Sequence, residues 1–65
     1  MKPLTNRVRD LRSRQSLSVA QLAGQIGISR LTLRAVEAGL YTPSLPLAVR
    51  VARALNHPVE DLFAI

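Results

Sequence analysis

The sequence predicts a compact all-α domain of five short helices, and three observations carry that reading. Apolar residues recur at helical spacing along nearly the whole chain. Ser, Gly, Asn and Pro fall at the points where helices would start and stop. With only Tyr41 and Phe63 aromatic, the core has to be built from Leu, Val, Ile and Ala, a composition that favours packed helices. At 65 residues there is room for one domain, taken here as residues 1–65, and a 48% apolar content argues against disorder.

Leu4, Val8 and Leu11 recur at i, i+4, i+7 with arginines between them, which predicts a first helix ending near Gln15. Ser18 is placed to cap a second helix whose inner face is Leu22, Ala23 and Ile26. Gly27 closes it, since glycine accepts the left-handed conformation common after a helix C-terminus. Ser29 caps a third helix with Leu33 and Val36 inward, ended by Gly39. Residues 40–44 contain Thr42-Pro43 and read as a loop. Ser44 then caps a fourth helix, with Pro46 in its first turn and Leu45, Ala48, Val51, Ala52 and Leu55 as the expected buried stripe. Asn56 and His57 terminate it, and Pro58 begins a last short helix that turns Val59, Leu62 and Phe63 onto the core.

Only Ile28 and Ser29 separate Gly27 from the third helix, so helices 2 and 3 must cross steeply, the geometry of a helix-turn-helix. Charge adds a second constraint. Nine Lys plus Arg against four Asp plus Glu give a net charge of +5, which suits a polyanionic partner, whether nucleic acid, an acidic protein or an anionic membrane. A membrane surface is the weaker of these, because the apolar stripes are all needed to close so small a core.

Residues 18–39, SVAQLAGQIGISRLTLRAVEAG, resemble the Cro/C1-type repressor family, also called the XRE family, at Leu22, Ala23, Ile26, Gly27, Ile28, Leu33 and Val36. Ser29-Arg30, Glu37, Gly39, Pro43-Ser44-Leu45 and Glu60-Asp61-Leu62-Phe63 extend the resemblance from Asn6 to Phe63. It implies a lambda-repressor-like DNA-binding domain that lays helix 3 in the major groove of double-stranded DNA.

The resemblance places the readers of DNA at Ser29, Arg30, Leu31, Thr32, Arg34 and Ala35, with Val19 after the cap of helix 2. Arg30 is the leading candidate for a base contact, because a guanidinium bonds guanine O6 and N7 together; a phosphate clamp or a solvated Arg is the alternative. Arg34, one turn on, is read as contacting a phosphate more readily than a base, and Thr32 as contacting either. Leu31 and Ala35 stand where the family often has Gln or another polar reader, so they suit thymine methyls instead. Arg12 is expected to pair with Glu37 as a structural ion pair rather than to touch DNA.

Three departures from the family pattern matter. Val19 replaces a frequent Gln, Ala38-Gly39-Leu40 replaces Asn-Gly-Lys or similar, and Ser16 stands where Gly is usual. The first two remove phosphate donors and the third implies strain at the end of helix 1.

The functional expectation is a sequence-specific transcriptional regulator, most simply a repressor. The rival is a protein-interaction module of the same fold, antitoxin-like or anti-regulator, using Val19, Leu31, Ala35 and Leu40; non-specific nucleic-acid binding is a third reading. Catalysis is not expected, since Ser, Thr and the carboxylates form no nucleophile and base motif and there is no Gly-rich phosphate loop. Neither cofactor nor metal is implied: His57 is the only histidine and cysteine is absent. The lack of cysteine, of a secretion-type N-terminus and of an apolar run near the roughly 20 residues that span a bilayer leads to a cytoplasmic assignment. The resemblance implies two-fold dimers, the form in which most relatives bind, so a homodimer on a palindromic site is expected. Leu62, Phe63, Ile65 and Val49 are candidates for the dimer contact, or else complete the core. The chain closing after the fifth helix implies no small-molecule effector.

Overall fold

Three serines start three of the helices. In the computed structural model, which describes residues 6–63, the order is α1 (Val8–Arg14), α2 (Val19–Ile26), α3 (Arg30–Glu37), α4 (Leu45–Leu55) and α5 (Val59–Leu62). Ser18, Ser29 and Ser44 have extended backbones, and each side chain accepts a hydrogen bond from the backbone N–H three residues on. At Ser18 the bond is reciprocated: the Gln21 side chain accepts from the Ser18 N–H, closing a capping box.

The four longer helices all stop in the same way. A residue in the left-handed region follows each one, at Ser16, Gly27, Gly39 and Asn56, with φ of 58°, 85°, 76° and 58°. After α1, α3 and α4 the next two N–H groups turn back to the last carbonyls: Ser16 to Ser13 and Leu17 to Arg12, Gly39 to Val36 and Leu40 to Ala35, Asn56 to Arg53 and His57 to Ala52. These pairs satisfy acceptors that the helix itself leaves unpaired.

Val8 and Leu11 of α1, Leu22, Ala23 and Ile26 of α2, Leu33 of α3, Val51, Ala52 and Leu55 of α4 and Leu62 of α5 make one buried cluster. Ala23 is 2% exposed and sits within this cluster, a small residue that suits the close approach of packed helices. No polar or charged residue lies in the buried class among the described residues.

Four details differ from the sequence reading. Leu4 lies outside the described residues, and Asn6 and Arg7 precede the helix; Asn6 forms an antiparallel bridge to Phe63 while its Oδ1 accepts from Val8 N. Among the described residues one β-type contact, between Asn6 and Phe63, is therefore added to the all-α architecture. Leu45 is 72% exposed, because as the first residue of α4 it precedes the point where that helix reaches the core; Leu47 packs there instead. Leu62 is fully buried, so it completes the core and has no surface to give to a dimer. Pro58 caps α5 rather than opening it, and Phe63 follows as the C-cap.

Ser16 gives the first prediction. An L residue in the left-handed region is strained by about 1–2 kcal/mol, of which glycine's greater freedom when unfolded takes back part. Ser16→Gly is expected to stabilise the fold by about 0.5–1 kcal/mol, a rise of roughly 2–8 °C in Tm measured by circular dichroism.

Candidate nucleic-acid interface

The turn between α2 and α3 is three residues long, and each has a separate task. Gly27 reverses the chain at positive φ, Ile28 drops its side chain against the core, and Ser29 caps α3. The Ser29 Oγ accepts from Thr32 N at 3.1 Å and lies 2.9 Å from Thr32 Oγ1. Both hydroxyls are thus already engaged in fixing the start of α3.

On α3, Leu33 and Val36 are buried at 0% and 1% exposure, which turns the opposite face outward. Arg30 and Arg34 are exposed one turn apart on that face, and Leu31 beside them is 80% exposed. Thr32 and Ala35 are half-buried at its flanks. Val19, the first residue of α2, is half-buried and packs on the core. It shares a surface cleft with Arg9, Arg12, Arg34, Glu37 and Ala38.

Inside that cleft one pair of charges is consumed by the fold. Arg12 Nε donates to Glu37 Oε2 at 2.7 Å, Nη2 donates to Oε1 at 3.3 Å, and Nη1 donates to the Leu17 carbonyl at 2.8 Å. The two side chains are only 12% and 7% exposed. One guanidinium therefore joins α1, the turn after it and the end of α3 in a fork geometry that lysine does not offer.

A helix two turns long that is anchored by one apolar face, preceded by a tight glycine turn and lined outside with arginines, has the dimensions to enter a major groove about 12 Å wide. The sequence pattern of a helix-turn-helix domain matches residues 3–64. The chain belongs to the Cro/C1-type helix-turn-helix regulators. It is 42% identical over 59 residues to an uncharacterized HTH-type transcriptional regulator of Methanothermobacter thermautotrophicus, covering 89% of this chain and 86% of that one. Over 60 residues it is 38% identical to the uncharacterized HTH-type transcriptional regulator YgzD of Bacillus subtilis, covering 92% and 91% of the two chains. Among solved structures, it is similar to the restriction-modification controller protein C.AhdI from Aeromonas hydrophila, with a TM-score of 0.82 and 35% identity over 88% of this chain and 86% of that one.

As a Cro/C1-type regulator the chain is a DNA-binding protein, and its relatives are named as regulators of transcription rather than as enzymes. Of the residues the sequence assigned to DNA, the structure brings Arg30, Leu31 and Arg34 together on one exposed face. It commits Ser29 and Thr32 to the cap and leaves Ala35 and Val19 half-buried. Arg9 is not among the residues the sequence assigned to DNA. The signal for it lay in the spacing on α1: Asp10 pairs with Arg7 at 3.9 Å and Arg14 at 3.3 Å, i,i+3 and i,i+4 partners, which leaves Arg9 without one among the described residues. His57 sits 4.0 Å from Asp61 at the far end of α4, and no cluster of three metal-binding side chains occurs among the described residues. No described helix is long and apolar enough to cross a membrane.

Removing either member of the Arg12–Glu37 pair strands its partner in a largely dry site. Arg12→Ala is expected to cost about 3–5 kcal/mol, lowering Tm by roughly 12–40 °C or leaving the domain unfolded at room temperature, as thermal melts would report. Replacing both by Met and Leu restores most of that loss, because the pair contributes little beyond what well-packed apolar side chains of similar volume supply.

Proposed function

We propose that the protein is a sequence-specific repressor that seats α3 in the major groove of duplex DNA. The observation that carries this reading is the outward face of α3, where Arg30, Leu31 and Arg34 project from a helix whose other face is locked in the core. Arg30, the first residue of α3, reads a guanine through O6 and N7, and Leu31 covers a neighbouring thymine methyl. Arg34 lies one turn further along the helix and takes a phosphate, with Thr32 and Ser29 closing against the backbone at the start of the helix. Val19 and Ala35 shape the two edges of the contact. The protein acts in the cytoplasm as a homodimer on a palindrome whose half-sites lie about 34 Å apart on one face of the duplex, without enzymatic activity or small-molecule effector.

One observation favours a second reading as well. Leu31 and Leu40 are each 80% exposed, an apolar display on which a protein partner would gain burial. In that reading the fold is an interaction module, and Arg30 and Arg34 are solvated charges.

Selection from a random duplex pool at about 150 mM salt is expected to enrich a palindrome with half-sites one helical turn apart. A folded protein that enriches nothing would sink the repressor reading. Arg30→Ala is expected to lower affinity for the enriched site by roughly 1–3 kcal/mol and to relax the preference at a single G·C pair. The double variant Arg30→Ala/Arg34→Ala abolishes operator binding while Tm stays within about 2 °C, since both side chains are exposed.

A further inference from the structure

The geometry points to a phosphate-binding cleft at the edge of the outward face of α3, in which Arg9 of α1 and Arg34 of α3 together hold one backbone phosphate of the duplex. It rests on the reading of the protein as a DNA-binding regulator and adds the first helix to the interface.

Charge accounting within the cleft makes the case. Of its lining residues, Arg12 and Glu37 neutralise each other, and each of the three Arg12 nitrogens donates to Glu37 or to the Leu17 carbonyl. Val19 and Ala38 are apolar walls. The neighbouring Asp10 is shared between Arg7 and Arg14. What remains is two guanidiniums, Arg9 and Arg34, with no carboxylate partner among the described residues. Two like charges around one cleft repel each other, and a shared anion with several acceptor oxygens removes that cost while accepting from both forks.

The position of the cleft selects the anion. Arg34 lies four residues along α3 from Arg30, a rise of about 6 Å, so a helix reading bases at Arg30 brings Arg34 toward the wall of the groove, where phosphates lie. Arg9 reaches the same place from a different helix. Val19 at the start of α2 offers no donor to an anion in this cleft, so the donors come from α1 and α3.

The test is binding of the full chain, by fluorescence anisotropy, to the selected duplex and to a scrambled one across a salt series. Arg9→Ala and Arg9→Gln are expected to bind both duplexes about tenfold more weakly at 150 mM salt, and to flatten the plot of log K against log salt by about 0.9. Arg53→Ala, which removes another exposed arginine on α4, measures the effect of net charge alone and is expected to change affinity less than about twofold. Thermal melts of both Arg9 variants should match the wild type, because the side chain is exposed. The cleft is overturned if the Arg9 variants bind as the wild type does, if Arg53→Ala weakens binding equally, or if only the selected duplex is affected. Those outcomes leave α3 as the reader of DNA, whereas a wild-type protein that binds neither duplex removes that reading and the cleft with it.

Discussion

Everything this protein presents to its surroundings depends on how α3 is held. Eight residues of helix are not stable alone in water, so the orientation of α3 has to come from outside it. The polar ties gather at its C-terminal half: Arg12 grips Glu37, Asn6 Nδ2 donates to the Val36 carbonyl at 2.7 Å, and the Leu40 N–H closes on the Ala35 carbonyl. Leu33 and Val36 fix its rotation by burial. The N-terminal turn carries only its own cap, from Ser29. The helix is therefore clamped at the back and free at the front, so its arginines stand on a rigid element rather than on a loop.

The same division appears in the arginines. Arg12 is structural, Arg7 and Arg14 are paired on the surface of α1, and Arg50 extends Nη1 to the Ile26 carbonyl at 3.5 Å, near the negative end of the α2 dipole. Four of the eight arginines are thus engaged, and Arg9, Arg30, Arg34 and Arg53 are left to face a partner. A net charge of +5 says that a polyanion is welcome, but the address is written by which carboxylates have already been used.

Much of the fold is legible along the chain because its signals are local. A serine before an apolar-periodic run and a glycine after it act within four residues of themselves, and Ser18, Ser29, Ser44, Gly27 and Gly39 all do in the structure what their chemistry suggests. The misreadings occur where a residue's fate depends on something distant. Leu45 continues the apolar spacing of α4, yet that end of the helix overhangs the core, and Leu62 is as apolar as an interface residue but meets the other helices first. Asn6 carries no mark of its bridge to Phe63, since such pairing is decided by the arrival of the other end of the chain.

By itself the sequence determined five helices, their order, their caps and the short turn that makes two of them a helix-turn-helix, because backbone hydrogen bonding and hydrophobic periodicity are properties of neighbours. It also bounded the partner, through charge. Only the tertiary structure decided which of the exposed side chains share a surface. Arg9 and Arg34 are 25 residues apart and line one cleft, while Leu31 and Leu33 are adjacent in pattern and end on opposite sides of the same helix, one 80% exposed and the other fully buried. Packing sets those distances, and it is a property of the whole chain.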